Sequence, residues 1–217
     1  MTEGLRERKK RQTRQRITEV AMGLFVERGF EHVTITEVAA AAEVSANTVY
    51  NYFPAKEDLV LPPDEASPQR LADMVRQRRV GESAADAILR ELREEVHRRD
   101  RKVGLTGGFG RVFDMMRAAP TLLARLESLG QQMTDALAAV LAEETGAAPD
   151  DQLPRVIAHQ LGCFHSLVFA EIGKRLTAGE SPDAIAEATL DLLTTIEDVL
   201  GDRVLAYAMR KDQPCSE

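Results

Sequence analysis

The feature that most limits what this chain can fold into is the punctuation between Thr34 and Pro54. Thr34 is a residue type that caps a helix start. Ile35-Thr36-Glu37-Val38-Ala39 follows it, with Glu37 in the first turn where the positive helix end favours an acid. This helix runs out near Ala42, Glu43-Val44 turns the chain, and Ser45 caps a further short helix to about Phe53. Pro54 ends that one, because the residue before a proline is pushed out of helical geometry. Upstream, Ile17, Val20, Ala21, Leu24 and Phe25 recur at the spacing of one helical face. Arg28 and then Gly29 close that helix, glycine being the residue that most easily takes a left-handed position there. A longer helix followed by two short ones across a tight turn predicts a three-helix helix-turn-helix unit. Val33, Val38, Ala39, Val44, Val49 and Phe53 supply its small core.

The rest of the chain carries helical signals and no convincing strand pair, so the expected fold class is all-α. Lys56-Glu57-Asp58-Leu59-Val60 begins a fourth helix that Pro62-Pro63 interrupts, and the segment to Pro68 is the best linker. Helices are expected near 68–79, 82–99, 108–117, 120–145, 150–177 and 181–200. Leu153, Val156, Ile157, Leu161, Phe164, Leu167, Val168, Ile172 and Leu176 make a wide apolar stripe. Ile185, Leu192, Leu193, Ile196, Val199 and Leu200 make another, after a Ser181-Pro182 start. Such stripes complete a monomer core or meet symmetry mates in a four-helix dimer interface. The expected division is a basic arm and helix-turn-helix module over 1–60 and a helical domain over 61–217.

A net charge of −7 argues against a nucleic-acid partner until it is divided along the chain. Residues 1–16 carry Arg6, Arg8, Lys9, Lys10, Arg11, Arg14 and Arg16 against Glu3 and Glu7, a net +5, which leaves −12 for the remainder. Only the local field reaches a nearby phosphate, so a basic arm on an acidic body remains compatible with DNA. No apolar run approaches a membrane-spanning length, and the basic N-terminus lacks the apolar stretch of a secretory signal. Cys163 and Cys215 show no metal or redox spacing, which fits buried or tail thiols in a reducing cytoplasm.

Phe25-Val26-Glu27-Arg28-Gly29-Phe30, Thr34-Ile35-Thr36-Glu37-Val38-Ala39 and Val44 through Leu59 together resemble the N-terminal half of the TetR family of regulators. The likeness covers about residues 12–60 and joins spacing, caps, glycine and aromatics. It implies a homodimer that binds a pseudo-palindromic double-stranded DNA operator, and the apolar stripes of the last two long helices are its expected pairing surface. It further implies repression until a small-molecule effector binds the C-terminal domain. Carried over by position, Thr34 and Thr36 lie near a phosphate, and Ser45, Ala46, Asn47 and Thr48 open the recognition helix. Tyr50, Asn51 and Tyr52 follow, and Lys56 is a phosphate contact. The chemistry agrees: Asn47 or Asn51 can pair with adenine through two hydrogen bonds, and Ala46 or the Thr48 methyl can meet a thymine methyl. Tyr50 stands open between base contact and core. The recognition helix holds no Arg or Lys, so charge comes from Lys56 and from the arm, Arg11 and Arg14 included, along the backbone or in the minor groove.

The run from Arg111 to Leu126, with Asp150-Asp151, is similar to a C-terminal class that binds acyl-CoA-like ligands. Pro62-Pro63 departs from relatives that run a continuous connecting helix there. Leu105, Phe109, Phe113, Met116, Phe164, Leu167, Val168 and Phe169 are the candidate lining of an apolar ligand pocket, against the plainer alternative of ordinary core. Gly104, Gly107, Gly108 and Gly110 match no nucleotide-binding pattern and read as a helix junction. No catalytic constellation, metal site or cofactor is expected: His159 and His165 do not share a helical face, and Glu94-Glu95 and Glu143-Glu144 read as solvated pairs. The competing functions are an activator, an effector-independent regulator, or a small-molecule binding protein without specific DNA affinity.

Overall fold

The computed structural model describes residues 4–61, 66–105 and 109–211 and contains no strand among them. The helices are α1 (Leu5–Arg28), α2 (Ile35–Ala41), α3 (Ala46–Tyr52), α4 (Arg70–Arg76) and α5 (Ala84–His97), then α6 (Phe109–Arg117) and α7 (Pro120–Thr145). α8 (Leu153–Thr177), α9 (Pro182–Val199) and the short α10 (Asp202–Leu205) complete the set. Two compact units emerge: one takes the described residues up to Ala66 together with Arg111–Leu126, the other takes Ser67–Gly110 and the described residues from Glu127 onward.

In the first unit the local chemistry is that of the sequence. Thr34 and Glu37 form a reciprocal cap: Glu37 N–H donates to the Thr34 hydroxyl at 3.3 Å and Thr34 N–H donates to the Glu37 carboxylate at 2.8 Å. Ser45 accepts from the Thr48 N–H at 3.0 Å, which starts α3. Phe53 leaves the helix with φ −138° and ψ 94°, as a residue before proline should. Glu43, at φ 53°, makes the turn between α2 and α3. Gly29 ends α1 with φ 85° but ψ 143°, outside the left-handed helical well. That mirror-extended conformation belongs to glycine, and it folds Phe30 back until its ring centroid lies 4.9 Å from that of Phe25.

The core of this unit joins Ile17, Phe25, Phe30, Val49, Phe53 and Leu59 to Met115 and Met116 of α6, Ala119 of the turn after it and Leu122 of α7. Each large side chain fully removed from water contributes about 1.5–3 kcal/mol before chain entropy is counted. Arg125 meets the buried Asp58 carboxylate at 3.4 Å, and the Thr121 hydroxyl donates to Glu31 at 2.9 Å. Two elements differ from expectation. α1 begins at Leu5, because the Arg, Lys, Gln and Glu residues ahead of Ile17 are good helix formers even without an apolar face. The helix expected from Lys56 is one 3-10 turn, Glu57–Leu59; Pro62-Pro63 lie outside the described residues.

In the second unit α5 opens on a capping box between Ser83 and Asp86. α9 opens on Ser181 with Pro182 in its first turn, as the sequence predicts. α8 is long and apolar enough to cross a membrane by composition, yet Ile157, Leu161, Val168 and Ile172 are buried within this unit. Gly104 sits at φ 74°, and a Cβ there would lie 2.6 Å from the Phe109 ring, so the position requires glycine. Gly107, Gly108 and Cys215 lie outside the described residues.

Candidate functional site

α3 is seven residues long and shows solvent one narrow ridge. Val49 is fully buried and Ala46 partly so, which turns Asn47, Tyr50 and Asn51 outward at helical spacing. Tyr50, open between core and surface in the sequence, is 51% exposed. Tyr52 is partly buried against the core. The Ser45 and Thr48 hydroxyls lie 2.8 Å apart, so both serve the helix start while their edges remain near the surface. Thr34 is engaged with Glu37, and Thr36 is exposed beside it. The Thr34 N–H and hydroxyl hold the Glu37 carboxyl below its ordinary pKa, with the charges of Arg28 and Lys56 adding to the effect.

Lys56 is not a simple surface cation. Its Nζ stands 4.2 Å from the Phe30 ring centroid and 5.8 Å from that of Phe25. The aliphatic stem packs while the ammonium rides an aromatic face. Arg14 places its guanidinium 5.3 Å from the Phe53 ring, beside the end of α3. Arg11 is exposed on the same helix. The basic arm expected ahead of the first helix is helical from Leu5, a continuation of α1 by about 18 Å at 1.5 Å per residue.

The eight residues expected to line a pocket divide between the units. Phe113 and Met116 belong to the first, and Met116 is part of its core. Leu105, Phe109, Phe164, Leu167, Val168 and Phe169 belong to the second. Of these, Phe164 and Val168 line a pocket of about 10 Å³ with Leu89, Leu92, Leu161 and His165, roughly the space of one water. Leu167 points away, 46% exposed. The first unit has its own half-open groove of about 440 Å³, floored by Phe25, Phe30 and Met115 and rimmed by Glu31, Arg111 and Asp114.

Sequence reasoning missed the polar groups inside the second unit. Glu95 is not half of a solvated pair: it is 3% exposed and forms an ion pair with Arg70, while its neighbour Glu94 faces Arg90 and Arg98 outside. Glu144 likewise answers the buried Arg78 at 2.8 Å. Burial pushes the Glu95 carboxyl up, and the Arg70 charge opposes that push. His165 stacks 4.7 Å from Phe169 and its Nε2 is buried without a partner, as is Arg70 Nε. Burial, helped by the Arg70 charge, drives the His165 pKa down to about 3, so the ring is neutral. One signal was available: Glu95 is in phase with Ile88 and Leu92, and His165 with Leu161 and Val168, so both titratable groups sit within apolar stripes. Cys163, placed in a buried stripe by its sequence context, is exposed instead. His159 is also exposed, on a different side of α8 from His165.

The family model for bacterial regulatory proteins of the tetR family matches residues 17–61. The HTH-type transcriptional regulator TcmR of Streptomyces glaucescens is 32% identical over 158 residues, 71% of this chain and 70% of that protein. LuxR of Vibrio harveyi, also an HTH-type transcriptional regulator, is 43% identical over 47 residues, 22% of this chain and 23% of its own. Among solved structures, native NalD, the secondary repressor of the MexAB-OprM multidrug efflux pump in Pseudomonas aeruginosa, superposes with a TM-score of 0.55 at 19% identity, covering 85% of this chain and 96% of its own. The SmeT–triclosan complex does so with a TM-score of 0.54 at 17% identity, covering 95% and 100%. At these identities the two structures speak for the shared fold.

Proposed function

Because this chain belongs to the TetR family of bacterial regulatory proteins, DNA-binding transcriptional regulators rather than enzymes, we propose that it is a homodimeric repressor released from a pseudo-palindromic operator by a small hydrophobic effector. The observation that carries this is the ridge of α3, two amides and a phenol presented together beside a basic helix. Asn47 and Asn51 have the donor and acceptor pair that adenine offers in the major groove, and Ala46 and Thr48 suit a thymine methyl. Ser45 and Tyr50 complete the base-facing set. Tyr52, Lys56, Thr34 and Thr36 take phosphates, and Arg11 and Arg14 with the rest of the α1 extension supply charge.

Pairing through α8 and α9 is supported by the apolar side chains these helices leave in solvent, Val156 at 52%, Leu167 at 46% and Val199 at 71% exposure. A twofold dimer sets two α3 helices against half-sites about 34–36 Å apart. Effector binding in the helical domain changes that separation and releases the operator. Such a regulator works in the cytoplasm, where its DNA is.

A mobility-shift titration on DNA from upstream of its own gene, with competitor DNA present, tests the proposal. A specific shift at two protomers per site, lost when candidate effectors are added, is the expected result. A specific shift that stimulates transcription in a reconstituted assay makes the protein an activator. No specific shift at low salt from an intact dimer removes the operator proposal.

A further inference from the structure

The interior of the second unit contains more polar chemistry than its packing needs. Arg70, at the start of α4, and Glu95, on α5, form an ion pair with side chains only 10% and 4% exposed. The pair consumes the charge of Arg70 but leaves its Nε–H unspent, and that atom is buried. On α8, His165 brings a second buried nitrogen without a partner to the wall of an otherwise apolar pocket. Phe169 ties the two together: its ring lies 4.7 Å from the His165 ring and 5.9 Å from the Arg70 guanidinium carbon. Buried donors and acceptors left unpaired cost about 1–3 kcal/mol each, so two neighbouring ones in a helical interior are an expensive feature to keep.

We propose that this interior, where α5, α8 and α9 wall the pocket and Arg70 of α4 approaches it through Phe169, is the effector site, and that it selects an uncharged hydrophobic molecule bearing a carbonyl or hydroxyl oxygen held by Arg70 Nε–H and His165 Nε2. This rests on the effector-released repressor proposed above and specifies the effector's class. The selection follows from charge. Arg70 and Glu95 cancel one another, and the imidazole is neutral, its pKa pushed down to about 3 by burial. A carboxylate or a phosphate-rich ligand brings a negative charge for which the interior has no spare cation, at a cost of several kcal/mol. A neutral oxygen requires only the two hydrogen bonds already on offer. The apolar body lies against Leu92, Leu161 and Val168, and Phe164, which solvent already reaches, swings to admit it. An acyl-CoA-like ligand fits this chemistry poorly.

Isothermal calorimetry on the full chain at pH 8 tests the assignment with two sets of probes: 2-naphthol, 2-acetonaphthone and 2-naphthoate, and decan-1-ol, 2-decanone and decanoate. In at least one set the alcohol or ketone should bind about tenfold or more tighter than the matching acid. His165→Phe keeps the ring shape and should weaken that binding about fivefold. Arg70→Lys keeps the charge opposite Glu95, removes Nε–H and should do the same; it serves if the first variant fails to give a helical circular dichroism spectrum. Ala118→Trp fills the groove of the first unit and should leave probe binding intact. Acids binding as well as their neutral partners, both polar variants binding like the parent, loss of binding in Ala118→Trp, or no binding by any probe would each overturn the proposal. The effector role itself is read separately, by adding the probes to the protein–DNA complex. Probes that release DNA equally from parent and His165→Phe sink this site and leave the effector-released repressor standing. Probes that bind through His165 but release no DNA do the reverse.

Discussion

At the scale of residues, the two kinds of DNA contact proposed above fall to Asn47 on α3 and to Lys56 beyond its end. Asn47 is exposed on the ridge, and its amide can read one base edge. Asn47→Ala should cost about 1–3 kcal/mol on the best operator and much less on one altered at the matching base pair. Binding measured across all single-base variants checks this, and an equal loss on every variant would show that Asn47 does not read sequence. Lys56→Met keeps the stem over Phe30 but removes the charge. It should weaken all sequences alike, lower the salt slope by about 0.9, and cost about 0.5–1 kcal/mol of stability because the ammonium no longer rides the ring face. Inside the second unit His165 makes a prediction about pH. Its folded pKa, about 3, lies below the unfolded value of 6.5, so the unfolded chain binds more protons between those limits. Stability is therefore whole above about pH 6.5 and falls as pH drops through that window toward 3. Melting temperatures from pH 7 to pH 4 should decline less steeply in His165→Phe than in the parent; parallel declines would show that another group controls them.

At the scale of elements, what the sequence disclosed depended on whether an element had an apolar face or a cap. Thr34, Ser45, Pro54 and Ser181 marked helix ends to within a residue because capping is local chemistry. The start of α1 was missed for the opposite reason. The run from Arg6 to Arg16 has no apolar face to disclose a period, and only the summed propensity of Arg, Lys, Gln and Glu makes it helical. Glu95 and His165 were hidden because their partners are distant in sequence, Arg70 being 25 residues from Glu95. The difference matters for DNA. A stiff basic helix presents its charges along one line, whereas a loose arm can wrap into the minor groove. Gln12→Pro breaks the extension without changing charge, and lies ahead of Ile17, where the core begins. Operator affinity should fall and the salt slope should flatten by about 0.9 for each phosphate that the broken helix no longer neutralises, with the melting temperature nearly unchanged. Unchanged affinity and slope would mean that only the charge count matters, as for a flexible arm.

At the scale of the whole molecule, the helix-turn-helix unit is discontinuous in sequence. Composition and turns place a natural end near residue 60, but the core does not close there. Met115, Met116, Ala119 and Leu122 return after the second unit has begun and pack with Ile17, Phe25 and Phe30. No local signal announces this: methionine and leucine at helical spacing show that a face is buried, never against what. α6 and α7 thus each belong to both units, with α6 passing from Gly110 into Arg111 and α7 from Leu126 into Glu127. A change of packing around either helix in the second unit is borne by the same backbone that completes the core beneath α3, and we propose this as the covalent route from the proposed effector site to the ridge of α3. Leu122 is the place to test it, since it is wholly buried in the first unit and far in sequence from α3. Leu122→Ala should cost about 2–5 kcal/mol, with the loss appearing first in the first unit. Amide exchange should therefore quicken in α1 to α3 while α8 and α9 stay protected, and operator affinity should fall at temperatures where the rest of the chain remains folded. Uniform loss of protection along the chain would instead make the two units one cooperative body, in which α6 and α7 carry no separate message.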